Sequence, residues 1–181
     1  MALIGFGSGN PEDYKCGGSL ISELWIISAA HCSYHREFGA AKWAKLGNVQ
    51  RSQLNVNTYT YEIIERIKHP SYTVRLVEND IMLFKLSKPV TFNIYVIPIC
   101  LPQYNELYTT KAIATGWGVQ GFAKQTSDSL QKVVLDYLPT KVCEESYVGD
   151  EKLNGANFTN MICAGSLTEM KDTCEGNKHT F

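Results

Sequence analysis

Short apolar segments separated by polar turns dominate this chain, and no long amphipathic helix interrupts them. The segments fall at 19–21, 25–28, 44–46, 59–64, 81–86, 112–115, 133–138 and 161–164. None is long enough for a helix of several turns, whereas many short strands punctuated by Gly, Pro and Asn predict an all-β barrel or sandwich. Ile81-Met82-Leu83-Phe84-Lys85-Leu86 is apolar at nearly every position, which predicts a strand buried on both faces. The stretch 98–111, with Pro98, Pro102, Gln103 and Asn105, reads as the connector between two halves. The opening MALIGFGSGN is apolar and turn-like, and it lacks the cationic start and sustained core of a signal peptide.

A chain of 181 residues with 44% hydrophobic residues can bury one sizeable core or two small ones that share an interface. The formal net charge of -1 supplies no basic field, so nucleic acid and anionic membrane are excluded as expected partners. No apolar run approaches the roughly 20 residues of a membrane span.

Six cysteines, Cys16, Cys32, Cys100, Cys143, Cys163 and Cys174, include no CxxC, which argues against zinc-ribbon and thioredoxin-like uses and for disulfides. Disulfides imply an oxidising compartment. Asn157-Phe158-Thr159 is an N-glycosylation sequon, which fits the same compartment.

His31 closes the segment Trp25-Ile26-Ile27-Ser28-Ala29-Ala30-His31-Cys32, and Asp80 opens the segment at 81–86. Taken alone, the first reads as a structural histidine and the second as a strand-start residue. An imidazole held by a carboxylate is nevertheless what a general base needs, because the carboxylate fixes the tautomer and stabilises the imidazolium that forms.

The order of the surrounding motifs changes the weight of that pair. Cys16-Gly17-Gly18-Ser19-Leu20-Ile21, Ser28-Ala29-Ala30-His31-Cys32 and Asn79-Asp80-Ile81-Met82-Leu83-Phe84-Lys85-Leu86 are followed by Pro98-Ile99-Cys100-Leu101-Pro102 and Ala114-Thr115-Gly116-Trp117-Gly118. Met161-Ile162-Cys163-Ala164-Gly165 and Lys171-Asp172-Thr173-Cys174 complete the series. The string resembles the trypsin-like serine endopeptidases of the chymotrypsin fold from about Cys16 to Gly176. Its style is similar to that of the cascade zymogens, some of which carry a clip domain.

The resemblance implies an all-β fold of two antiparallel barrels: a first barrel over 1–98, a connector over 99–111 and an incomplete second barrel over 112–181. It assigns His31 as general base, Asp80 as its orienting carboxylate and Ser28 as a residue that helps hold that carboxylate. Asp172, otherwise an ordinary loop acid beside Lys171, becomes the acid that selects Arg or Lys side chains of the substrate, and Gly176 an oxyanion-hole donor. It also implies Cys16–Cys32 and Cys143–Cys163 disulfides, with Cys100 tethering a propeptide and Cys174 lacking its partner.

The chain departs from the family after Gly176. Where the family writes Asp-Ser-Gly-Gly-Pro, this sequence writes Asn177-Lys178-His179-Thr180-Phe181, with Lys178 in the place of the nucleophile and Asn177 in that of the activation carboxylate. The chain is therefore expected to be truncated at both ends, to lack catalytic activity and to fold poorly in its second half. Gly176-Asn177-Lys178 can be encoded GGT AAT AAA, which contains a donor-like GTAAT, so the last five residues are expected to be unspliced or misassembled sequence.

Two function classes follow. One is a secreted serine endopeptidase acting on protein substrates and met by protease inhibitors. The other is a non-catalytic homologue acting as a binding or regulatory module. No cofactor is expected. A metal site at His31, Cys16 and Cys32 conflicts with the disulfide the resemblance implies, and no Asp or Glu lies between Lys45 and Tyr61 to bind calcium.

Overall fold

A computed structural model of the chain describes all residues except 9, 11, 12, 53–57, 77, 102–108, 120–125, 151, 152, 154–156, 159, 160 and 168–181. Its first half contains β1 (Ala2–Gly5), β2 (Tyr14–Leu20), β3 (Trp25–Ser28), β4 (Tyr34–His35), β5 (Gly39–Ala40), β6 (Trp43–Leu46), β7 (Tyr59–Lys68) and β8 (Met82–Leu86). Six of these close a barrel in the order β1-β2-β3-β8-β7-β6, with β6 returning to β1 and every neighbouring pair antiparallel. The short β4 and β5 pair with each other beside it.

Alternation along the strands fills the barrel. In β8, Met82, Phe84 and Leu86 are buried while Leu83 and Lys85 are only partly covered. Residues 81–86 were predicted to be buried on both faces; instead one face is core and the other is half-covered. Lys85 explains the difference, since it pairs outside with Glu65 at 2.9 Å and lies 5.6 Å from the Trp25 ring centre. Ile26 from β3, Leu46 from β6, Ile63 from β7 and Ile4 from β1 join the same cluster. β2 approaches β3 so closely that a Cβ at Gly18 would meet Ile26 Cγ2 at 2.8 Å and the Ile27 carbonyl at 2.9 Å, so glycine is required there.

β1 lies in the stretch read as turn-like. Its four residues are all buried because the strand is hydrogen-bonded on both sides, to β2 and to β6. An apolar run of four has no periodicity to reveal it, and only the closure of the barrel requires it.

The second half contributes β9 (Lys111–Gly116), β10 (Gln131–Tyr137), the short helix α1 (Thr140–Ser146) and β11 (Ala164–Gly165). The strands form a three-stranded antiparallel sheet in the order β11-β10-β9. A disulfide from Cys143 on α1 to Cys163 ties the helix to the start of β11. Among the described residues, no helix is long and apolar enough to cross a membrane.

The two halves meet along a mixed seam. Leu3 and Tyr14 of the barrel bury Trp117, whose Nε1–H donates to the Val49 carbonyl at 2.9 Å. The Leu130 N–H donates to the same carbonyl at 2.8 Å, and Asp128 accepts from both the backbone N–H and the hydroxyl of Ser52, each at 2.8 Å.

Candidate active site

Two turns at one end of the barrel build the site. The first follows β3. The chain leaves Ser28, and Ala30–Ser33 forms a single 3₁₀ turn closed by the Cys32 N–H on the Ala29 carbonyl at 3.0 Å. Ala29, Ala30 and Cys32 are buried, so the turn is anchored on the core on both sides of His31, whose side chain keeps 40% of its surface exposed. The Cys16–Cys32 disulfide, with Cα atoms 6.0 Å apart, fastens the same turn to β2. Small buried neighbours and a covalent pin thus project one polar ring outward.

The second turn precedes β8. Asn79 adopts φ 56°, the sole non-glycine residue with positive φ among the described residues. Asn accepts this left-handed conformation better than most side chains, since its short amide can satisfy local backbone groups. The Ile81 N–H then donates to the Asn79 carbonyl at 2.8 Å, and the carboxylate of Asp80 is aimed across at the His31 turn.

Asp80 binds that turn twice. Oδ2 lies 2.5 Å from His31 Nδ1, and Oδ1 accepts the backbone N–H of His31 at 2.9 Å. One oxygen fixes the ring and the other fixes the backbone that carries it. Because the carboxylate is an acceptor, Nδ1 holds the proton and Nε2 is the basic nitrogen of the neutral ring. Tyr72, packed against the core beside this pair, has its phenol held above the ordinary range, first by burial and then by the negative charge of Asp80. The arrangement can accept a proton at Nε2 and stabilise the resulting imidazolium.

Ser28 is fully buried directly below, and its hydroxyl donates to the Gly17 carbonyl at 2.7 Å. It holds β2 and β3 together under the His31 turn. Cys16, His31 and Cys32 place one donor atom each within 4.8 Å of one another, yet the two sulfurs are bonded at 2.04 Å, so neither is the thiolate a metal would need. Cys100 is exposed and free of any disulfide. Asp172, Cys174, Gly176, Asn177 and Lys178 lie outside the described residues.

Between Cys16-Gly17 and the second half, a cleft of about 140 Å³ opens at the seam, lined by Leu3, Tyr14, Arg51, Thr115 and Trp117. It has room for a side chain rather than for a drug-sized ligand. Sequence reasoning singled out His31 and Asp80, which the structure brings together, but missed Asn79 as the residue that aims the Asp80 carboxylate. The one available signal was its place between Glu78 and Asp80 ahead of an apolar strand, a position where Asn supplies a turn.

The family model described as Trypsin matches residues 1–178. Trypsin-3 of Salmo salar is 37% identical over 165 residues, covering 89% of this chain and 63% of its own length. Serine protease snk of Drosophila melanogaster is 33% identical, covering 97% of this chain and 41% of its own length. Clotting factor G beta subunit of Tachypleus tridentatus is 31% identical, covering 96% and 58%. The chain therefore spans between about two fifths and three fifths of these relatives.

Proposed function

The chain belongs to the trypsin family of serine proteases, and from that premise we propose that its biochemical role is serine-type endopeptidase chemistry on protein substrates. His31 is the general base, taking the proton of an attacking serine hydroxyl through Nε2, and Asp80 orients the ring and stabilises its charged form. Asp172 selects Arg or Lys at the cleaved position, and Gly176 donates to the developing oxyanion. The protein is secreted, meets protease inhibitors at the His31–Asp80 site and is linked to a propeptide through Cys100. The observation that carries this reading is the double grip of Asp80 on His31, at 2.5 Å to the ring and 2.9 Å to the backbone.

The alternative reading takes the residues after Gly176 at face value. Lys178 offers an ammonium, not a hydroxyl, and Asn177 cannot form an ion pair with an amine. The 181-residue chain is then a non-catalytic homologue that binds partners without cutting them. In a protease with the same catalytic logic, loss of the serine costs about 10⁶ in kcat.

Two measurements test these readings, and the second separates them. The purified chain is expected neither to hydrolyse Arg or Lys amides nor to take a serine-directed phosphonate probe. Stoichiometric labelling at a serine, with turnover, would overturn that expectation. Residues 1–176 continued into the serine loop and final strands of a trypsin are expected to hydrolyse those amides, and His31→Ala in that fusion to lower kcat by about 10⁶. A folded fusion that stays inert, or one indifferent to His31→Ala, leaves the non-catalytic reading standing and removes the endopeptidase one.

A further inference from the structure

Asn157-Phe158-Thr159 is the only Asn-Xaa-Ser/Thr triplet in the sequence, and nothing in the proposed chemistry uses it. Asn157 is exposed. Just after it, the Met161 N–H donates to the Phe158 carbonyl at 3.1 Å. The backbone N–H of Asn157 donates to the side chain of Glu78. Glu78 stands two residues before Asp80, and two residues of chain span at most about 7 Å. Asn157 is thus tied to the turn that aims the Asp80 carboxylate at His31.

We propose that Asn157 carries an N-linked oligosaccharide and that this glycan stands at the rim of the His31–Asp80 site, on the side of the Glu78–Asn79 turn. The acceptor is the side-chain amide, and the donor is an oligosaccharide on a polyprenyl pyrophosphate. The amide nitrogen bonds to C1 of the first sugar, the bond from C1 to the pyrophosphate oxygen breaks, the lipid pyrophosphate leaves and the displaced amide proton passes to base. Thr159, which completes the triplet, lies outside the described residues. The two disulfides among the described residues form in the compartment where this transfer occurs. A glycan at the rim leaves small molecules free to reach His31 and hinders protein-sized ones.

The inference rests on the secretory reading, so the experiment places the chain in the lumen by design. The chain is translated with a cleavable leader into microsomes of the endoplasmic reticulum, and only the protease-protected fraction is scored. Peptide mass spectrometry is expected to find Asn157 modified, and converted to Asp by the amidase that removes N-linked glycans. Asn157→Gln and Thr159→Ala are each expected to abolish the modification. Protected, disulfide-bonded chain with Asn157 unmodified would overturn the site without touching the secretory reading, which is tested separately by where the natural product is found. For the rim placement, a Glu-specific protease is expected to cut after Glu78 several-fold more slowly in the glycosylated chain than in both variants. Equal rates in all three would overturn that placement.

Discussion

The barrel and the sheet that follows it use the same kind of strand, with apolar residues alternating and turns between, but they bury very different amounts. In the barrel each of six strands has two neighbours, and Ile4, Phe6, Leu20, Ile26, Leu46, Met82, Phe84 and Leu86 are all at or below 2% exposure. In the second half the buried apolar side chains among the described residues are Trp117, Leu135 and Cys163, while Ile113 is 64% exposed and Ile162 66%. Closure makes the difference. A closed sheet has an inside that every strand lines, whereas β9 and β11 each have one paired edge among the described residues. His31 and Asp80 both come from the barrel half, and so does every hydrogen bond described between them. The geometry of the pair therefore depends on the half that closes upon itself.

That claim can be broken in the cores. Phe84→Ala, at a fully buried barrel position, is expected to cost about 3–5 kcal/mol and to unfold barrel and sheet together. Leu135→Ala, at 4% exposure on β10, is expected to cost about 2 kcal/mol, the low end for such a change, since the open sheet relaxes around the void. It should erase amide protection over β9–β11 and leave β3 and β8 protected. Residue-resolved hydrogen exchange distinguishes the two outcomes. If Leu135→Ala strips protection from the barrel as well, the halves are one cooperative unit and the comparison fails.

The same contrast explains what was legible in the sequence. The segments at 25–28, 44–46, 59–64 and 112–115 lie within strands, because local apolar patterning and turn residues agree there with the fold. β1 was not legible: Ala2–Gly5 becomes a strand through pairing with residues 14–18 and 43–46, information that no window around it contains. Residues 161–164 overlap only the two-residue β11, whose partner is the end of β10. His31 and Asp80 could be singled out by motif order, but their 2.5 Å approach spans 49 positions and follows from register, with Ser28 paired to Met82 across β3 and β8. The Asn79 turn that aims the acid is a matter of one dihedral angle. Nothing in residue type alone specifies it.

Cysteine chemistry offers a second test of the comparison. Cys16–Cys32 and Cys143–Cys163 close loops of 16 and 20 residues, so chain entropy alone assigns each about 3 kcal/mol, nearly the same figure. Their consequences should differ. Replacing Cys16 and Cys32 by serine is expected to lower barrel stability and to free the 3₁₀ turn, which would show as a changed ring resonance of His31. Replacing Cys143 and Cys163 is expected to release α1 and β11 while that resonance stays unmoved. Equal effects on His31 from both pairs would mean that the site depends on the second half after all.

The smallest expected effect lies at the seam. Asp128 is held below the ordinary carboxylate range, first by the backbone N–H of Ser52, then by the Ser52 hydroxyl and the charge of Arg51. A carboxyl group whose folded pKa is depressed contributes stability above its unfolded value of about 3.9, and that contribution is lost as pH falls through the lower folded value. The group is exposed, so solvent screens it and the effect should be slight. Acidification through that window should therefore loosen the contact between residues 51–52 and 126–130 before it disturbs the barrel core. Exchange at the Ser52 and Leu130 amides, corrected for intrinsic rates, is the readout. Asp128→Asn should show the loosened seam at neutral pH already and lose the acid-dependent step, since the amide retains an acceptor oxygen but no charge to titrate. A variant that keeps the step would assign it to another carboxylate, and acid loosening of the Ile26 amide at the same pH would show that the seam and the barrel are not separable.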